Sequence, residues 1–471
     1  MKQRLNIRNL SIVLFMFSLI FLSFSEANGQ LPDKKMADKY GLTIPPPNEK
    51  LEPAPEWLQK ADMITMYDGV WKDYKFTLKD TLMTRIVRLR AGNGPAEITE
   101  HYPVETIGSF DGSLIKGVPL ISHVPHSKKA YEEAHKQGFK VIPYVHFTDI
   151  HTFYADQDVF FFQHPEILLK DANGKWVHIP MDGSDRLYRF LTCANSPSYW
   201  KLSLAYVKKM MDWGADGVFI DNVGNRKPCF APKFNVPESS SAKNPEFQPY
   251  VHEHLFPDTT GSYAWDRLLQ TIRVLVKSYG EDKIVLINSG IGTPFQKDGD
   301  CCIWESFIYS WSWEGRRQTW QDVKKRAQDN TWYINAGRRI TALSFLNPAR
   351  KEAREDAFWA FSAARLVDFI WWSALNGTGA EALYQAHMGK GLEPLNERNG
   401  LASRTFENGV IVLNDSAEDQ NAELTIPAGF QPKRLLDLYN GTQIIQVKNK
   451  KIKVAVPKKT ARVYLVPTGQ K

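Results

Sequence analysis

Eight apolar runs of β type, most of them followed by an amphipathic helical segment, recur over about 320 residues of this chain of 471. That alternation constrains the fold more than any other feature. The runs are ADMITMYDG (61–69), TRIVRLRAG (84–92), FKVIPYVHF (139–147), ADGVFIDNV (215–223), DKIVLINSG (282–290), DCCIWESFIYSW (300–311), RRITALSFLN (338–347) and VDFIWWSAL (367–375). Between them SKKAYEEAHKQG (127–138) starts on Ser and stops on Gly, and SPSYWKLSLAYVKKMMDWG (196–214) carries a Ser cap with Pro beside it, both signatures of a bounded helix. Several runs are continuously apolar, as expected of parallel strands buried on both faces. Eight such units predict an α/β fold, a (β/α)8 TIM barrel. An open doubly wound sheet is the rival; the lack of a phosphate-cradling glycine fingerprint after the first strand speaks only weakly against it.

The ends of the chain differ in texture. Lys2, Arg4 and Arg8 precede an apolar run from Leu10 to Phe24, and Ser25 and Ala27 have the spacing for cleavage after Ala27. A basic start, a run of about 15 apolar residues and small residues predict a signal peptide over 1–27, too short for a membrane span. The mature chain is expected outside the cytoplasm, periplasmic, cell-surface or secreted, with no stable membrane insertion. Residues 28–55 are polar and proline-rich and read as an N-terminal arm. The barrel is expected over 56–392. From 393 to 471 short strands separated by turns at Glu407-Asn408-Gly409 and Tyr439-Asn440-Gly441 predict a small C-terminal antiparallel β-sandwich.

Net charge is +7, falling to +5 once three basic residues and one acidic residue leave with the first 27. This does not imply a nucleic-acid partner. The basic excess of the last strands (Lys448, Lys450, Lys451, Lys453, Lys458, Lys459) reads as a solvated face or as a contact for an acidic glycan. Cys193, Cys229, Cys301 and Cys302 match no metal-binding spacing; Cys301 and Cys302 read as small core residues. His252 and His254 alternate in a loop without an acid cluster nearby, so no metal site and no cofactor is assigned.

In a barrel of this kind the active site lies at the C-terminal ends of the strands. The fourth strand ends in Asp221 and the sixth carries Glu305. Even-numbered strands fill the same layers, so the two carboxylates can face each other across the mouth, which is what glycosidic cleavage requires. With Asp221 inward, Phe219 and Gly217 also point in; with Glu305 inward, so do Ile303 and Cys301. Asp216 sits at the opposite end of its strand and is assigned to the barrel bottom. Tyr67 and Asp68 after the first strand, His146 after the third, Asn288 after the fifth, and Trp311 and Trp313 after the sixth are candidate substrate-binding residues. Each has a structural alternative: a turn residue, a satisfied histidine or asparagine, or a core ring. Trp371 and Trp372 cannot both face inward. The long loops 148–195 and 224–261 fall on the same face and are expected to shape it.

HPEILLKDANGKW, LTCANSPSYW and GADGVFIDNV, in that order, resemble TIM-barrel glycoside hydrolases of the α-galactosidase-like, dextranase-like and polygalactosaminidase-like groups. AYEEAHKQGFKVIPYVHF is similar to the segment leading through their third strand, and FENGVIVLND with the final YLV resembles their β-domain. The resemblance implies a retaining O-glycosidase acting on an oligo- or polysaccharide, with Asp221 as nucleophile and Glu305 as acid/base. An inverting hydrolase on the same site and a catalytically silent glycan-binding barrel are the alternatives. A metal-dependent barrel hydrolase is disfavoured, because the first strand ends in Tyr67 and Asp68 where a His-x-His would be needed.

Overall fold

The computed structural model describes residues 34–47, 50–64, 74–76, 83–89, 95–103, 107–110, 120–122, 128–136, 140–146, 148–151, 165–180, 188–224, 227–234, 252–258, 260–288, 291–310, 315–375, 377–441 and 443–467. The expected signal segment, Tyr67, Asp68, Trp311 and Trp313 lie outside them. Among the described residues no helix is long and apolar enough to cross a membrane.

A seven-stranded parallel sheet forms the frame. Its strands are β1 (Met63–Ile64), β3 (Tyr144–His146), β4 (Gly217–Asp221), β5 (Ile284–Asn288), β6 (Cys301–Ile308), β7 (Arg339–Ser344) and β8 (Ile370–Trp372), in the spatial order β1, β8, β7, β6, β5, β4, β3. A further parallel pair joins β2 (Leu120–Ser122) to Lys140–Ile142. Only Pro143 separates that segment from β3, and proline has no N–H to continue the ladder. The second strand is therefore not the segment expected. Met83–Leu89, inside the run 84–92, pairs antiparallel with Pro95–Pro103 as a hairpin. Arg85 and Arg88 explain why: a strand covered on both faces does not accommodate two guanidinium groups, whereas Leu120–Ser122 brings no charge.

The period-2 parity holds along the frame. Phe219, Ile284, Leu286, Cys301, Ile303, Leu343, Ile370 and Trp372 share one interior cluster, while Val218, Ile220, Val285, Ile287, Cys302 and Trp371 pack in the layer with the helices. Cys301 and Cys302 are both fully buried and lie on opposite faces. Ala54 of the arm belongs to the interior cluster together with Leu58 and Ala61 just after it, so the arm reaches the core. Further up the arm, the helix Lys34–Tyr40 holds the outside through Tyr40 Oη and Lys39 Nζ on Glu253, at 2.8 and 2.7 Å.

The residues immediately before three strands share a device. Asp62 meets Arg365 at 2.8 Å, Asp216 meets Lys140 and Lys283 at 3.0 and 3.1 Å, and Asp300 meets Arg273 and Arg338 at 2.7 and 3.1 Å. Asp216 also accepts from the Val141 N–H and contacts His135 Nε2 at 2.7 Å. The assignment of Asp216 to the structural end of its strand follows from this set of partners.

Antiparallel strands run from Asn396 to Leu465. Six form one sheet, and Gln420–Thr425 pairs with Lys451–Val456 in another. Val410, Val412 and Tyr464 from the first meet Ile452, Val454 and Val456 from the second in a single core cluster. The alternation in KIKVAV, exposed Lys against buried Ile and Val, produces that face. The opposite face of the larger sheet lies on the helix Ala353–Leu366, whose residues are almost all buried because it is covered by the parallel sheet on one side and by Ala402, Ile411 and Val463 on the other. Tyr439 fastens the join through Glu355 Oε1 at 2.8 Å and a ring contact with Phe358 at 4.9 Å.

Gly217 opens β4 where the neighbouring backbone comes closest: a Cβ there would stand 2.1 Å from the Ile284 carbonyl oxygen. Gly217→Ala must push two paired strands apart, and we expect it to destabilise the protein by about 3 kcal/mol, measured as a shift in the urea unfolding midpoint at unchanged m-value.

Candidate functional site

Four strands deliver the site at their C-terminal ends. Asp221 closes β4, opposite His146 on β3. Asn288 closes β5, paired with Ile303 on β6, and Glu305 stands two residues further along β6. Parity then points Asn288 and Glu305 to the same side as Asp221.

The Asn288 amide ties the carboxylates together. Its Nδ2 donates to Asp221 Oδ1 at 2.6 Å and to Glu305 Oε2 at 2.9 Å. The two protons of one NH2 group are thereby divided between two acids. The sum of the two distances, about 5.5 Å, is the most that can separate those oxygens. Asp221 has two more donors: the Tyr144 hydroxyl reaches Oδ2 at 2.6 Å, and the Asn222 N–H reaches Oδ1 at 2.8 Å. Three donors suit an acceptor-only carboxylate. Neither acid has a Lys or Arg within ion-pair distance among the described residues.

Glu305 is half-buried, and burial raises its carboxyl above the ordinary range. The Asn288 hydrogen bond opposes that rise and the negative charge of Asp221 adds to it. Phe219 and Trp372 form an apolar floor, with ring centroids 5.2 Å apart, and Tyr144 meets Phe219 at the same separation. Trp372 is fully buried, which makes it floor and not an exposed platform.

The backbone turns sharply just past each acid. Asn222 has φ 50° and Ser306 has φ 59°, and the β6–β7 register slips between Trp304 and Ile308. Left-handed conformations cost about 1–3 kcal/mol and persist where the surroundings impose them. Asn222 is held on both sides: its side chain contacts His146 Nε2 at 2.7 Å, and its carbonyl accepts from the Thr148 hydroxyl. His146 Nδ1 in turn lies 3.1 Å from Asp149 Oδ1. Its Nε2 faces the Asn222 amide while Nδ1 lies beside the Asp149 carboxylate.

Of the residues singled out in the sequence, Asp221, Glu305, Asn288 and His146 are thus brought together. His146 lies against Asn222 and Asp149, and Asn288 is turned to the acids, so both brace the site from within the protein. Tyr144 and Asn222 were missed. The signal for Tyr144 was present, since it lies two residues before His146 on one strand and so shares its face.

The long loops also meet. Cys193, Cys229, His252 and His254 place one ligand atom each within 4.8 Å of one another. The sequence reading, which assigned no metal site, found neither cysteine near the histidine pair because the fold, not the spacing, joins them.

No family model and no curated protein matches the chain. Among solved structures it is similar to the debranching enzyme of Nostoc punctiforme (11% identity, TM-score 0.47, covering 88% of this chain and 100% of that one). It is also similar to an α-amylase of Anoxybacillus (12%, 0.43, 87% and 98%) and to a β-L-arabinopyranosidase of Geobacillus stearothermophilus (10%, 0.39, 73% and 78%). At 10–12% identity these are distant neighbours of the chain.

Proposed function

We propose that this protein is an exported glycoside hydrolase that cleaves O-glycosidic bonds of an oligo- or polysaccharide with retention of configuration. The frame of the site is a (β/α)8 barrel in which β2 lies between β1 and β3. The observation that carries the reading is the single amide shared by two carboxylates at the ends of β4 and β6, which keeps Asp221 Oδ1 and Glu305 Oε2 within about 5.5 Å of each other. Retaining enzymes hold their acids about 5–5.5 Å apart, whereas inverting ones leave about 6.5–9.5 Å for a water molecule.

Asp221 is the nucleophile. Two donors hold Oδ1 and one holds Oδ2, which leaves Oδ2 with more free lone-pair density for attack on the anomeric carbon. As the Asp221–carbon bond forms, the bond from that carbon to the leaving oxygen breaks, and Glu305 gives its proton to that oxygen. The resulting Glu305 carboxylate then takes a proton from water. The hydroxide equivalent attacks the same carbon and frees Asp221. Burial suits Glu305 to this double role, because it raises the carboxyl and favours the protonated form that the first step needs. Tyr144 and Asn288 hold the nucleophile, and His146 acts through Asn222 as a positioning residue. Tyr67, Asp68, Trp311 and Trp313 remain proposed sugar contacts, the rings as platforms for apolar sugar faces. A silent glycan-binding barrel would have no use for two acids braced against each other by one shared amide.

Asp221→Asn is expected to abolish reducing-end release from a polysaccharide and oligosaccharide panel while the thermal midpoint stays unchanged. Glu305→Gln is expected to lose about 10²–10⁴ in kcat/KM, and the first-formed sugar should keep its anomeric configuration by NMR. Inversion in that spectrum would overturn the retaining mechanism, and full activity in Asp221→Asn would remove this site.

The pH profile supplies a separate check. Because burial raises the Glu305 carboxyl, the acid form persists above the usual carboxyl range, and kcat/KM should fall as pH rises through that raised value. Asn288→Ala removes the hydrogen bond that opposes the rise, so its alkaline limb should move to higher pH as total activity drops. An unmoved or lowered limb would show that Glu305 is not the titrating acid.

A further inference from the structure

We infer that Cys193, Cys229, His252 and His254 form a structural site for a tetrahedral thiolate- and imidazole-binding metal ion of the zinc class. Two Cys and two His ligands make a closed four-coordinate shell. Cys193 Sγ lies 3.6 Å from His254 Nε2, and Cys229 Sγ lies 3.5 Å from His252 Nε2. With Zn–S about 2.3 Å and Zn–N about 2.0–2.1 Å at the tetrahedral angle, the sulfur-to-nitrogen edge of such a shell is about 3.5–3.6 Å. The side chains already have that edge length, and all four ligand atoms fall within 4.8 Å of one another.

The surroundings orient the ligands as a metal site requires. His252 Nδ1 is 2.6 Å from the Glu166 carbonyl oxygen, so Nδ1 carries the proton and Nε2 presents its lone pair to the cysteines. The two imidazole rings are 5.4 Å apart and tilted by 34°. Leu169, Leu191 and Ala231 enclose the sulfurs in an apolar cluster. Both cysteines are buried and unbridged. Two thiolates balance the charge of a divalent cation, leaving a neutral centre suited to that burial.

The position in the fold gives the site its work. Its ligands come from the loop that ends in the helix Pro197–Asp212 and from the loop between β4 and the helix Ser262–Lys277, two segments otherwise joined by backbone bonds such as Phe230 N–H to the Lys170 carbonyl at 2.9 Å. Cys193 lies two residues beyond Leu191, which pairs with Asp149, the partner of His146. A cross-link here fixes the loops that frame the carboxylates without touching the reacting atoms. Neither carboxylate is a ligand, so the site is structural whether or not the glycosidase reading holds.

The test uses the full-length chain. Purified under non-reducing conditions and desalted, it should carry one zinc per chain by elemental analysis with four titratable thiols after denaturation in chelator. Replacing zinc by Co²⁺ should produce the intense visible absorption of a tetrahedral cobalt–thiolate centre, and chelation should lower Tm by several degrees. Cys229→Ser and His254→Ala should each lose most of the metal, whereas Cys302→Ala should keep it. A Cys193–Cys229 disulfide, or four free thiols that take up neither zinc nor cobalt in the wild-type protein, would overturn the proposal.

Discussion

One amide group, that of Asn288, determines what the open end of the parallel sheet can do. Two carboxylates a few ångströms apart repel each other, and in a partly dry site that repulsion is strong. A lysine between them would neutralise both and leave a salt bridge. The neutral amide gives each acid one proton donor without cancelling the charge. Its side chain can reach both because parallel β4, β5 and β6 place Asn288 between Asp221 and Glu305 with matching parity.

The opposite end of the same strands shows the contrast. Asp62, Asp216 and Asp300 are more deeply buried than Glu305, yet each is surrounded by basic side chains. Burying an ion is tolerable only with a partner, and at this end the partners are basic side chains. Four residues separate Asp216, just before β4, from Asp221 at its end, and the partners change from lysines to a hydroxyl, an amide and a backbone N–H. The frame thus gives its carboxylates different partners at its two ends, and Glu305, which burial raises, has an amide where Asp216 has lysines.

The strand frame was legible in the sequence where runs were buried on both faces. IVLIN, GVFID and IWW can be read as parallel strands from composition, and their parity places Asp221 inward. The second strand was not legible, because three residues, Leu120–Ser122, are too short to stand out beside the longer arginine-bearing TRIVRLR hairpin strand. The two acids were visible as polar residues ending apolar strands. The role of Asn288 was not, since an asparagine after a strand looks alike whether it faces sugar, solvent or another side chain. The Cys/His cluster was hidden for a different reason: loops that travel far along the chain join ligands that no local spacing connects.

The same loops bear on the precision of the site. Asn222, with its left-handed backbone, sits directly after Asp221. If it relaxed, the Asp221 carboxylate would swing away from Asn288. What holds it is a chain of contacts from His146 and Thr148 to Asp149 and Leu191, and so to the segment carrying Cys193. A regular strand end would need no such brace, but it would also continue the ladder and turn the next side chain outward. Breaking the ladder immediately after the acid frees the mouth of the sheet. The cost in backbone strain, about 1–3 kcal/mol per residue, is then met by the contacts that His146 and Thr148 make with Asn222, and these keep Asp221 where the Asn288 amide can span to Glu305.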